Sequence, residues 1–167
     1  LSDLEAQEAL STHFSLEPKL AEQWAHVFEG NLAAALRLQE ASEGGSDHAL
    51  FAEWMRACFA KNSPMILQLS EEFTKPGREA MKQFLVYSMH MVRQCIVGNY
   101  GAQELVRLTQ EEHEFAQKFA PFIHHGNVLK LHELLEKAHG DIAGNVNGRL
   151  VFLDLSVQVN ILLRPTP

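Results

Sequence analysis

Apolar positions recur three and four residues apart along almost the whole chain, the spacing that lines one face of an α-helix. Near the amino terminus the pattern comes in three short runs: Leu4, Leu10 and Phe14; then Leu20, Trp24 and Phe28; then Leu32, Leu36 and, less regularly, Leu38. Ser2-Asp3 supplies a start signal, Pro18 suits a first helical turn, and Glu29-Gly30-Asn31 separates the second run from the third. A trio this short buries too little apolar surface to stand alone. Glu43-Gly44-Gly45-Ser46-Asp47 then reads as a linker, because paired glycines disfavour helix while Ser46 or Asp47 can cap the helix that follows. The expected organisation is a three-helix segment over 1–42, a linker over 43–47 and a second helical domain over 48–167.

In that second domain Leu50, Phe51, Trp54, Met55 and Cys58 make a wide apolar stripe, and Asn62-Ser63-Pro64 ends one helix and starts another that runs to about Phe73. Lys75-Pro76-Gly77 is the next break. From Arg78 to about Val97, the residues Met81, Phe84, Leu85, Ser88, Met89, Val92, Cys95 and Ile96 follow the helical repeat. Val86, Tyr87 and Met91 make its other sides apolar too, which predicts the central helix of the bundle. Asn99-Tyr100-Gly101 closes it. Thr109 with Glu112 three residues on has capping-box spacing, and Phe115, Phe119, Phe122 and Ile123 continue the stripe of the helix it opens. Gly126-Asn127 precedes another amphipathic helix with Val128, Leu131, Leu134 and Leu135, and the stretch from Gly140 to Gly148 loosens the chain again.

The last segment is ambiguous on pattern alone. Leu153-Asp154-Leu155-Ser156-Val157-Gln158-Val159-Asn160-Ile161 alternates apolar and polar residues like a half-buried strand. No earlier segment offers a second strand, however, and a lone strand leaves its backbone donors and acceptors unpaired. A helix capped by Asn147 is the better expectation, with Leu150, Leu153, Val157 and Ile161 on one face turned to the core. Val151, Leu155, Val159 and Leu162 would then face elsewhere, and a second apolar face calls for a second partner.

Composition narrows what such a bundle can do. A chain of 167 residues, 46% of them hydrophobic, has enough apolar material for a core, so disorder is not expected. A formal charge of −7 and a pI near 5.7 disfavour nucleic acid as the main partner, since phosphate binding needs clustered Lys and Arg. Cys58 and Cys95 sit in apolar helical patterns, which suggests two buried free thiols in a reducing compartment, the cytoplasm. No run approaches the ~20 consecutive apolar residues of a membrane span. The start at Leu1-Ser2-Asp3, without Met, suggests a larger protein cut at a domain boundary.

Candidate chemistry is sparse. His132-Glu133-Leu134-Leu135-Glu136 lacks the second histidine, four residues on, of a zinc-binding helix; Glu136 could ligate and His139 lies a turn further, but leucines fill the space between. Neighbouring His124 and His125 diverge on a helix. Neither cysteine stands beside a histidine base, there is no nucleophile elbow, and Gly44-Gly45 lacks the Lys-Ser/Thr context of a phosphate loop. Glu71-Glu72 and Glu111-Glu112 read as solvated helix surface. Met81, Met89 and Met91 suit core filling better than a peptide groove. The residues thus support no catalytic, cofactor-binding or metal site.

Four stretches carry a resemblance. Gly30-Asn31-Leu32-Ala33-Ala34-Ala35-Leu36-Arg37-Leu38 is similar to the closing helix of the lid subdomain in clamp-loader ATPase subunits. Phe51-Ala52-Glu53-Trp54-Met55-Arg56 and Gly77-Arg78-Glu79-Ala80-Met81-Lys82-Gln83-Phe84-Leu85 resemble the opening collar helices of the delta-prime subunits of bacterial DNA polymerase III. Asn147-Gly148-Arg149-Leu150-Val151-Phe152-Leu153-Asp154-Leu155 resembles the final collar helix of the same family. Their order, more than any one piece, implies a lid subdomain over 1–42 and a carboxy-terminal collar domain over 48–167, an all-α bundle that joins clamp-loader subunits into a ring. It further implies an upstream ATPase-fold domain, the tau/gamma and delta subunits as partners, and contact with the sliding clamp and DNA only through the whole complex. Membranes and small-molecule substrates are not implied. The parent would be a subunit of the DNA-directed DNA polymerase III holoenzyme, a nucleotidyltransferase assembly, and would itself be no enzyme: where active ATPase lids resemble Gly-x-x-Arg-Asp-Ala-Leu, Ala33 replaces the Arg that reaches the nucleotide phosphates and Ala34 the Asp. On this resemblance the outward face of the last helix, Val151, Leu155, Val159 and Leu162, becomes the expected subunit interface. Competing expectations are the collar of a tau/gamma ATPase subunit, an independent helical peptide-binding adaptor, and a metal-dependent hydrolase built on His132 and Glu136.

Overall fold

In the computed structural model, which describes residues 47–99, 101 and 108–164, every regular element is helical. The segment 1–42, with Ala33, and the linker as far as Ser46 lie outside the described residues. Among the described residues six α-helices follow one another: α1 (Asp47–Ala60), α2 (Ser63–Thr74), α3 (Arg78–Asn99), α4 (Gln110–Phe119), α5 (Val128–Ala143) and α6 (Gly148–Leu163), with a 3-10 turn (Ala120–Phe122) after α4. Asp47, placed by its sequence at the end of the linker, is the first residue of α1.

Local chemistry sets each break. Lys61 turns the chain with φ 52°, and the Asn62 side chain accepts the Met65 N–H at 3.2 Å while Pro64 occupies the first turn of α2. Gly77 reaches φ 101°, a conformation that a side chain would strain, and so separates α2 from α3. At α4 the capping box is complete: Thr109 Oγ1 accepts the Glu112 N–H at 3.4 Å, and Glu112 Oε2 accepts the Thr109 N–H at 2.8 Å.

Two helix limits differ from the sequence pattern. Phe122 and Ile123 do not continue α4; Pro121 brings no N–H to an α-helical ladder, the chain tightens into the 3-10 turn, and Ile123 is extended yet fully buried. In the other direction α5 runs through Gly140 to Ala143, because burial of Ile142 against the core outweighs the poor helix propensity of one glycine. The last segment is a helix over its whole length, as its backbone hydrogen bonding required, and no strand occurs among the described residues.

The core forms where α1, α2, α3 and α6 meet. The Trp54 ring lies 5.2 Å from Phe152 and 5.7 Å from Phe84, and Phe73 closes the group at 4.8 Å from Phe152 and 5.7 Å from Phe84. On the other side of α1, Phe51 stands edge-on to Tyr87, Phe115 and Phe119 at 6.0, 5.8 and 6.2 Å, which draws in α4. The 22-residue α3 packs along α5, burying Phe84, Leu85, Tyr87, Met91, Val92 and Cys95, while Val86 points to solvent.

Candidate functional site

Helix α6 begins at the cap its sequence offers, with the Asn147 side chain accepting the Leu150 N–H at 3.2 Å. Its first residue lies close to α3: a Cβ on Gly148 would stand 2.5 Å from Met81 Sδ, so a larger residue there would push the flexible Met81 thioether aside. Further along, the Asn160 amide donates to the Cys58 carbonyl at the end of α1. Asn127 donates to the carbonyls of Phe122 at 2.8 Å and Leu162 at 3.0 Å, and its own Oδ1 accepts the His124 N–H at 2.9 Å. Both ends of α6 are thereby held, and its rotation about its own axis is fixed.

That rotation is the reverse of the expected one. Val151, Leu155 and Val159, expected to face a neighbouring subunit, are buried at 9%, 3% and 1% exposure, and Leu162 is half-buried against the core. Leu150, Val157 and Ile161, expected to face the core, are 65%, 61% and 63% exposed, with Leu153 intermediate. The reason lies in two residues that a count of aliphatic positions passes over. Phe152 and Ser156 share the face of Val159, and both are fully buried: the Trp54 indole N–H donates to Ser156 Oγ at 2.8 Å, and Ser156 donates in turn to the Phe152 carbonyl at 2.7 Å. A small hydroxyl makes room for the indole and satisfies its only donor. Asp154 sits on the opposite face, exposed, its Oδ2 accepting the Gln158 amide at 2.7 Å.

A buried polar group also joins α1, α3 and α4. Tyr87 Oη–H donates to Glu112 Oε1 at 2.8 Å, and His48 Nδ1 lies 3.1 Å from the same phenol oxygen. The phenol has one proton and gives it to the carboxylate, so His48 donates from Nδ1. Burial pushes the Tyr87 phenol far up, reinforced by the negative charge of Glu112, which keeps it a donor. Burial also holds His48 below its usual range, against the pull of Glu112 and Glu111. Glu111 is exposed as expected, but Glu112 is only 3% exposed and not solvated surface. The capping-box spacing was the available signal, since that box turns the N3 side chain back toward the chain. Chemically the cluster is a brace.

The remaining candidates stay apart. His132 Nε2 and Glu136 Oε1 form an exposed pair at 3.2 Å, and His124 and His125 stand edge to face with His124 Nδ1 accepting the Gly126 N–H at 3.1 Å. Among the described residues no three His, Cys, Asp or Glu side chains group together as metal ligands would. Cys58 and Cys95 are free and buried, and burial pushes both thiols up to about 12, leaving little thiolate for nucleophilic attack. A shallow cleft of about 430 Å³ opens between α2, α3 and the α5–α6 turn, lined by Thr74, Arg78, Met81, Asn145 and Arg149; the Arg78 guanidinium is already taken by Asn145 Oδ1. No helix among the described residues is long and apolar enough to cross a membrane. Compared with protein families, curated proteins and solved structures, the chain matches none. The described residues define an all-α helical bundle whose last helix carries three large exposed aliphatic side chains, Leu150, Val157 and Ile161.

Proposed function

We propose that this bundle is a non-catalytic assembly domain, the collar of a clamp-loader subunit of the delta-prime kind, and that it joins tau/gamma and delta subunits around the sliding-clamp loading machinery of DNA replication in the cytoplasm. The observation that supports this reading is the outer face of α6. Three large aliphatic side chains, Leu150, Val157 and Ile161, stand in water on one helix that is otherwise held rigidly by its caps and core contacts. Exposed aliphatic side chains grouped on one helix face fit a contact with another chain. An adaptor that grips peptides through methionines is less well supported, since Met55 and Met91 are buried and Met65, Met81 and Met89 pack against the core. The collar needs no cofactor, metal or small-molecule substrate. DNA and the clamp would be met only by the assembled complex.

Co-expression of the full-length subunit with tau/gamma and delta, followed by size-exclusion chromatography, tests the assignment. A single complex containing all three is expected, with no appreciable ATP turnover by the full-length subunit alone, because Ala33 cannot stabilise phosphate charge. Failure to co-migrate counts against the collar. Brisk hydrolysis by the lone subunit would instead favour a tau/gamma-type ATPase.

A further inference from the structure

The outer face of α6 is a seam with a charge in it. Leu150, Asp154, Val157 and Ile161 are separated by four, three and four residues, the alternation by which one helix of a supercoiled pair meets the other. At ~1.5 Å per residue the seam spans roughly 16 Å. Its three aliphatic members are all more than half exposed, and the fourth is an exposed carboxylate. Asp154 accepts from Gln158 on its own helix, and the neighbouring Lys137, whose charge its field reaches, is already held by Asp141 at 2.8 Å. No ion pair among the described residues involves Asp154.

We propose, resting on the collar assignment, that this seam receives an amphipathic helix of a different subunit that carries a Lys or Arg opposite Asp154. Covering Leu150, Val157 and Ile161 strips water from the carboxylate between them, and a carboxylate removed from water needs a cation or several donors in its place. A second copy of α6 laid against the first along the seam does not supply one. Paired parallel and in register, two α6 helices set Asp154 against Asp154; paired antiparallel about the middle of the seam, they set each Asp154 against the other copy's Val157. Both arrangements leave the charge unmatched, so charge complementarity favours a basic helix other than α6 itself, and the collar assignment makes it one of a different subunit. Arg fits best, because its planar fork can hold both carboxylate oxygens. The seam of one helix also falls short of the roughly 1,000 Å² that stable association needs, so it acts as one strip of a larger ring contact.

The experiment uses the full-length subunit assembled with tau/gamma and delta, in wild-type, Asp154→Lys, Asp154→Asn, Val157→Glu and Ile161→Glu forms, with thermal melts to establish that these exposed substitutions leave the fold intact. Val157→Glu and Ile161→Glu should abolish assembly, and Asp154→Lys should weaken it about tenfold or more, as removal of a close interfacial charge pair does. Asp154→Asn should weaken it less and flatten its dependence on salt. Loss of assembly in Val157→Glu with no change in either Asp154 variant overturns the basic partner while the collar assignment stands. Wild-type assembly in Val157→Glu and Ile161→Glu overturns the seam and moves the collar contact to another face. A wild-type subunit that joins neither partner overturns both, and self-association in sedimentation that Val157→Glu abolishes overturns the inference in favour of a second copy.

Discussion

Replacing Tyr87 by Phe removes one oxygen and leaves the ring where it is, edge-on to Phe51 at 6.0 Å. The lost hydroxyl donates to Glu112 Oε1 at 2.8 Å, and Glu112 is 3% exposed, so water does not readily take its place. Glu112 retains only the Thr109 N–H on its other oxygen, and the His48 Nδ1 proton loses its acceptor 3.1 Å away. A hydrogen bond to a charged acceptor contributes about 1.5–3 kcal/mol, and an orphaned buried group incurs a desolvation penalty of similar size. The substitution should therefore destabilise the protein by about 2 kcal/mol. For a chain of this length that lowers the melting temperature by about 4–8 °C.

Thermal and urea melts of wild type, Tyr87→Phe, Glu112→Gln and the double variant measure it. The urea midpoint should fall without a change in slope, since the fold is retained. In the cycle, Tyr87→Phe should cost about half as much in the Glu112→Gln background, because the acceptor it served has already been weakened. A Tyr87→Phe variant that melts within about 1 °C of wild type would refute the brace, since it would mean that the phenol and the carboxylate are each satisfied by water.

Asp47→Asn should stabilise the protein above pH 6 and make no difference below pH 3.8: burial raises the Asp47 carboxyl from 3.8 to about 6, so the folded state binds this proton more tightly than the unfolded state and is penalised only where the group ionises. His48 acts the other way, because its folded value lies below 6.5; the stability it contributes is lost as pH falls from 6.5 through the folded value, and His48→Gln should flatten that part of the wild-type profile. Neither Cys58 nor Cys95 should react with a thiol reagent in the native protein, and both should react promptly in denaturant; native labelling at the rate of a free thiol would contradict their burial and their rise to about 12. Val159→Glu should unfold the domain in circular dichroism by burying an unpaired charge, whereas Val157→Glu should melt like wild type; equal melts would mean that α6 is turned differently.

The fold was legible where spacing and punctuation agree. Of the expected stripe Phe51, Trp54, Met55 and Cys58 are buried and Leu50 packs half-buried against them, the break at Asn62-Ser63-Pro64 falls between α1 and α2, Gly77 bends the chain where only glycine does so freely, and the caps at Thr109 and Asn147 both form. These are local features: a cap or a positive φ is decided within a few residues, and the sequence contains all the parties. The brace was only half legible. The Thr109–Glu112 spacing is local, but Tyr87 lies 25 residues from Glu112 and His48 lies 39 from Tyr87, so nothing along the chain marks them as partners.

The rotation of α6 is the clearest case of what spacing leaves undecided. Leu150, Leu153, Val157 and Ile161 make as good a stripe as Val151, Leu155 and Val159, so amphipathicity alone yields two answers of nearly equal weight. Burial of aliphatic side chains is non-directional and does not choose between them. The choice falls to the groups with direction: the indole proton of Trp54, which needs an acceptor inside the core, and the carboxylate of Asp154, which needs water or a cation outside it. Ser156 lies 102 residues from Trp54 and meets the first demand from one face; Asp154 excludes the other face from the interior. In a helix with two apolar faces the polar residues therefore set the orientation. The same carboxylate that turns Leu150, Val157 and Ile161 outward also restricts what can cover them, because an occupant that matched only their apolar surface would leave Asp154 dehydrated and unpaired.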